Sequence, residues 1–368
     1  MTRIKFFALL AVLLAACQTQ QPAPTATAVP PTATNKPILA TSTGPATAVL
    51  PTATITTESE AVSEQAVQII PLDGPIAAAQ AEISGMTWYG DMLILLPQFP
   101  YRFGDQLFTL PKAEIEAFLA GEQTKVTPQP MPLVAPGLSE LPGYEGLEAI
   151  AFGGDQVFIT IETSNGSPMM GYLVAGQIAP DLSQIELDMT NLAEIVPPVP
   201  LSNFSDETIL VVNDTVLTIY EANGRFVNPS AAAHQFTTGL EPLGTLPFPA
   251  IEYRVTDATA VDENGRFWVI NYLYPGDIPK LNIAPDEIGE RYGRGPTHAA
   301  SDVVERLVEL QVSDNGISLT DTPPIQLKLM PDGEARNWEG IVRLDDRGFL
   351  LATDKFPETI LAFIAASK

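Results

Sequence analysis

The chain has 368 residues, including 34 prolines and one cysteine. Its 19 basic and 44 acidic residues leave a net charge of −25, which repels polyphosphate backbones and anionic surfaces and argues against nucleic acid as a partner. The single cysteine excludes a disulfide framework, so any exported domain must be held by its own apolar core.

Arg3 and Lys5 precede an apolar stretch from Phe6 to Ala16. This is shorter than the roughly 20 residues of a membrane-spanning helix and has the layout of a signal peptide, residues 1–16. It ends in Leu14-Ala15-Ala16-Cys17, the pattern of a bacterial lipobox, in which the cysteine is acylated before cleavage. Cys17 is therefore the expected lipidation site, and the mature chain is expected to be extracytoplasmic, held to the membrane by lipid alone. Residues 17–62 are built from Thr, Ala and Pro, with Pro-Thr-Ala-Thr recurring at Pro24, Pro31 and Pro51. Few large apolar groups and many prolines predict a disordered, semi-stiff linker.

From residue 63 to 368 the apolar runs are short, rich in Val, Ile, Leu and Phe, and broken by turn residues, which predicts an all-β domain. The best helical stretch is Ala113 to Ala120, and residues 275–302 read as a loop. One unit recurs five times: an apolar strand, a tight polar turn and a second apolar strand. The copies run from Ser84 to Gln98, Glu148 to Glu162, Glu207 to Glu221, Asp257 to Asn271 and Glu339 to Asp354. Gly90-Asp91, Asn213-Asp214 and Asn264-Gly265 are typical of their turns. A third strand is expected after each hairpin (106–110, 171–174, 234–237, 306–312, 359–364). A fourth is expected at 131–135, 184–189, 243–247 and 325–329. The last unit lacks its fourth strand, which residues 67–72 can supply. These features predict a five-bladed β-propeller of four-stranded antiparallel blades, its ring closed by the N-terminal strand. Six blades are the alternative, given the long interval before the last unit.

In such a wheel the equivalent positions converge on one face. The inner-strand set is Ser84, Glu148, Glu207, Asp257 and Glu339, and a second ring is Gln98, Glu162, Glu221, Asn271 and Asp354. Carboxylates that close need a cation or protons to compensate them. Oxygen donors without clustered His or Cys predict Ca²⁺ in the channel, held by the inner-strand set. The competing explanation is that each acid caps backbone N–H groups or pairs with a nearby arginine.

The Glu148-Ala-Ile and Glu339-Gly-Ile starts, with a partner acid 14 or 15 residues on, resemble the bacterial family described as esterase-like activity of phytase. The blade layout is also similar to five-bladed calcium-activated apyrases, with Ser84-Gly85-Met86, Asp257-Ala258 and Trp338-Glu339 falling in the order of their channel residues. The resemblance covers most of residues 63–368 and implies a central Ca²⁺ and hydrolysis of a phosphate ester. The chain lacks the FLPRR-like and DDRTG-like stretches of apyrases, so a general phytase-like hydrolase is the closer description. The alternative is a non-catalytic binding propeller with a structural metal.

For an anionic ligand on the same face the candidate contacts are Arg102, Tyr274, Arg291, Arg294 and Lys355, and Arg254, Arg336 and His298 are candidates for catalysis. Arginine forks suit phosphate, though the same arginines could equally neutralise the acidic ring. Trp88, Trp268 and Trp338 read as core, His234 as packing in an outer strand, and Asp262-Glu263 and Asp345-Asp346 as turn residues. No Gly-x-Ser-x-Gly elbow, P-loop or His-Glu-x-x-His motif is present. The domain is expected to be monomeric.

Overall fold

A computed structural model describes residues 62–164 and 169–366. The expected signal peptide, Cys17 and nearly all of the expected linker lie outside the described residues. None of the described helices is long and apolar enough to cross a membrane.

The described chain is all-β apart from short helices. β1 (Glu64–Gln65) and β2 (Gln68–Ile70) precede a first meander of β3 (Ile83–Tyr89), β4 (Met92–Pro97), β5 (Gln106–Pro111) and β6 (Gln129–Val134). Helix α1 (Lys112–Leu119) separates the last two and falls on the stretch read as helical. The second unit is β7 (Tyr144–Gly153), β8 (Gln156–Thr163), β9 (Met170–Ile178) and β10 (Ile185–Ile195). The third is β11 (Asp206–Val212), β12 (Thr215–Tyr220), β13 (Ala232–Thr237) and β14 (Pro242–Pro247). The fourth is β15 (Arg254–Ala258), β16 (Arg266–Leu273) and β17 (Val304–Ser313), whose outer edge is shared by β18 (Gly316–Leu319) and β19 (Ile325–Leu327). The fifth is β20 (Trp338–Leu344), β21 (Gly348–Thr353) and β22 (Leu361–Ala365), to which β2 adds antiparallel in the place expected of residues 67–72.

Two pairings were not foreseen. β1 adds parallel to β19 in the fourth unit, and β6 pairs parallel with β10, so the first two units share one eight-stranded sheet. Both depend on contacts between strands distant in sequence, which local patterning does not encode. The stretch 275–302, read as a loop, contains three helices of four to six residues: α2 (Ile278–Leu281), α3 (Glu287–Tyr292) and α4 (Pro296–Ala299). They are too short to show helical periodicity, and the burial of Leu281 and Ile288 holds them.

The apolar runs of the second strands follow from burial on both faces. Side chains alternate across a strand, so Leu93 joins a cluster with Val342 and Leu350 of the fifth unit. Ile94 next to it joins one with Leu147 and Ile159 of the second unit. Further clusters join the second and third units through Phe158 and Phe236, the third and fourth through Leu217 and Phe267, and the fourth and fifth through Trp268 and Phe349. Each such side chain contributes about 1.5–3 kcal/mol on burial. The leading strands neighbour one another in the same sequence: β3 lies against β7 and β20, β11 against β7 and β15, and β15 against β20.

Each leading strand is bulged where it begins to pair. The register skips a residue at Ser84, Glu148, Glu207 and Glu339, and skips two at Thr256-Asp257. A bulge turns a side chain out of the regular alternation. The five aligned positions of the repeat are thus also the five positions where the backbone is free to aim a side chain along the strand ends.

Candidate functional site

At this end of the leading strands lies a cavity of about 770 Å³. Its walls carry Glu148, Glu207 and Glu339 from the bulges, and Gln98, Glu162 and Asp354 from the ends of the second strands. Asn203, Asp277, Glu334 and Asn337 complete the polar lining, and Tyr272, Tyr274, Pro275, Phe356 and Pro357 form most of its apolar surface. Seven carboxylates therefore face two basic side chains, Arg254 and Lys355.

Both basic groups are engaged. Arg254 is buried; its Nε donates to Glu221, its Nη2 lies 3.3 Å from Glu207 Oε1 and its Nη1 3.6 Å from Asp277. The Phe204 ring lies 5.0 Å from its guanidinium carbon. Burial works against this charge, but Glu221, Glu207 and Glu339 outweigh it and hold the guanidinium firmly protonated. Lys355 pairs with the buried Glu82 at 3.2 Å, and Arg102 meets the same carboxylate at 3.0 Å.

Side-chain amides hold the remaining acids. Gln98 Nε2 donates to Glu148 Oε1 at 3.2 Å, and Asn337 Nδ2 donates to Glu339 at 2.6 Å and Asp354 at 3.2 Å. Gly146 permits the first contact: its φ is +150° and a Cβ there would run into the Gln98 side chain. Burial pushes the carboxyls of Glu148, Glu207, Glu339 and Asp354 above their ordinary range, and the neighbouring acids Glu162, Glu221 and Asp354 push Glu148, Glu207 and Glu339 respectively further up. Glu162 is pushed up to about 7 by burial and by Glu221. Buried oxygens of Glu162, Glu207, Asp354 and Asn337 have no hydrogen-bond partner. Such atoms are costly to leave unmatched.

Of the inner-strand set, the structure gathers three around the pocket and uses the other two between strands. Ser84 Oγ donates to the Leu147 carbonyl at 2.6 Å. Asp257 is buried, accepts from Ile341 N and Ala258 N at 2.8 Å each, and is raised by that burial. Of the second ring, Glu221 lies behind Arg254, and Asn271 donates to the Glu252 and Arg254 carbonyls and accepts from Arg306. Outside the pocket, Arg336 forks onto Glu305, and His298 lies between Glu64 and the Glu305 backbone. Arg291 pairs with Asp321, and Arg294 lines a separate cavity with Tyr253 and Asp286. His234 is more than packing: its Nδ1 lies 2.9 Å from Asp206. Trp338 is fully buried and donates to Glu305.

The oxygen-rich lining matches calcium in donor type. The spacing does not: among the described residues no three His, Cys, Asp or Glu side chains come together closely enough to hold a metal ion. The amides and Arg254 hold the acids in separate groups. Asn337, Asp277 and Phe356 were missed by repeat alignment because they lie outside the hairpin motif; Asn337, two residues before Glu339, was the nearest to a detectable signal.

The fold and pocket define an all-β protein with an acidic cavity where its leading strands begin. No family model and no curated protein matches the chain. Among solved structures it is similar to an exo-β-1,3-galactanase from Phanerochaete chrysosporium, at TM-score 0.47 and 9% identity over 82% of this chain and 64% of that one. It is similar to a GH62 α-L-arabinofuranosidase catalytic domain from Coprinopsis cinerea, at TM-score 0.45 and 8% identity over 82% and 96%. A glucose dehydrogenase matches at TM-score 0.41 and 12% identity over 80% and 99%. Overlaps of this size transfer no activity to the chain.

Proposed function

We propose that the chain is a lipid-anchored, extracytoplasmic five-bladed β-propeller whose pocket binds a positively charged ligand. The five meanders, the apolar cluster between each neighbouring pair and the docking of β2 on β22 support a closed wheel. One observation carries the functional reading: buried carboxylates line the pocket, several with unpaired oxygens, while its two basic groups are already paired. Bringing positive charge to such a site relieves desolvation and repulsion together.

Calcium is the inorganic ion to test first, because it carries positive charge and suits oxygen donors, although the acids of the pocket do not stand close enough together to form one coordination shell. Any effect it has would be compensation of the buried negative charge. Without it, a phosphate ester would meet carboxylates and committed cations, so binding rather than phytase-like hydrolysis is the activity the pocket supports. The test is a calcium titration of the purified domain followed by calorimetry and thermal melting, with Glu339→Gln alongside. A melting point raised in the wild type and not in the variant is expected; no heat and no shift at millimolar calcium would remove the metal from the reading. A phosphate-ester panel with and without EDTA should show no turnover, and calcium-dependent hydrolysis would restore the enzymatic alternative. For the anchor, Cys17→Ala should abolish metabolic labelling by palmitate, and persistent labelling would refute lipidation at Cys17.

A further inference from the structure

The acids of the pocket do not converge as a coordination shell for a single metal ion, yet several of their buried oxygens are without a hydrogen-bond partner. A ligand that carries several N–H groups would match acceptors placed on different strands, Glu162 on β8 and Glu207 on β11. Glu162 and Glu207, both more than nine-tenths buried, each leave one oxygen without a partner. Above this floor the lining turns apolar. Tyr274 and Phe356 are 53% and 57% exposed and line the same cavity, an arrangement that suits a flat or aliphatic body.

We infer that the ligand is an organic ammonium ion, its N–H groups donated to Glu162 and Glu207 and its carbon body held against Tyr274 and Phe356. This rests on the reading of the pocket as a site for positive charge and names the chemical class of the occupant. The chain already contains the same mode of recognition. Arg254 sets its cation against Glu207 on one side and the Phe204 ring on the other. Lys280 approaches that ring at 5.4 Å, and the Lys355 ammonium lies 5.7 Å from the Phe356 ring. In those pairs the ring adds quadrupole attraction to the charge pairing; in the proposed complex the carboxylates hold the ammonium and the aromatic wall holds the carbon body. A neutral isostere keeps the apolar contact and loses the charge pairing.

The experiment compares 2-phenylethylamine with 2-phenylethanol by calorimetry at pH 7.5 in low salt, with calcium as a separate arm. The amine is expected to bind at least about tenfold more tightly than the alcohol. Tyr274→Ala combined with Phe356→Ala, at exposed positions where folding is checked by thermal melting, should weaken the amine by about tenfold or more. Glu162→Gln with Glu207→Gln should remove the preference for amine over alcohol. Equal binding of the two compounds, or none of either, while calcium still raises the melting point would overturn the ammonium ligand and leave the cation pocket standing. Silence in all three arms would overturn both.

Discussion

Glu162 shows what burying an acid in the pocket costs the fold. Its carboxyl ionises near 4.5 when unfolded and is pushed up to about 7 in the fold by burial and by Glu221. Between those values the folded state holds more protons than the unfolded one, so its contribution to stability is present at pH 4.5 and lost as the pH rises through 7. The full shift corresponds to roughly 3 kcal/mol, shared with the acids it interacts with. In chelator and without amine, Glu162→Gln should therefore be more stable than the wild type at pH 8 and differ little at pH 4.5, as read by urea denaturation. An unchanged difference across that range would mean that the buried charge is compensated from within. The acids themselves were legible in the sequence because the repeat aligns them. Their division of labour was not, since Ser84, Asp257 and Asn271 carry the same alignment but spend their polar atoms on backbone between strands. Which side chain a bulge aims into the cavity depends on strand register, and no local pattern reports that.

At the level of elements, the third unit carries a polar cross-tie. Asp206 at the start of β11 accepts from Thr218 of β12 at 2.5 Å and meets His234 of β13 at 2.9 Å, binding three successive strands through one carboxylate. Burial opposes charge on His234, but the Asp206 contact outweighs it and raises the imidazole above its usual 6.5. The stabilisation from this pair is complete below pH 6.5 and disappears as the pH climbs through the raised value. His234→Gln should thus cost about 1 kcal/mol or more at pH 6 and little at pH 9, checked by melting the two proteins at both. The hairpins around this tie were readable because Asn213-Asp214 and its counterparts punctuate two apolar runs. The edges were harder: β1, β18 and the β6–β10 pairing are short or parallel, and their partners lie far away along the chain.

For the whole molecule, β2 is the strand whose removal should matter most for its length. It supplies the outer strand of the fifth unit, and Ile70 is buried in the cluster joining that unit to the first. A chain beginning at Pro71 should melt at least about 10 °C lower, or lose its single transition, because an open edge and an uncovered apolar seam appear together. An unaltered melting curve would show that the fold does not depend on this strand. Glu64 lies upstream of β2 and accepts from the backbone N–H groups of Thr297 and His298 and from the Thr297 hydroxyl, while its Oε1 also lies 2.9 Å from the His298 ring nitrogen. A tug from the N-terminal side is therefore met at α4 before it reaches the seam, much as a clamp on a cable takes the strain ahead of the soldered joint.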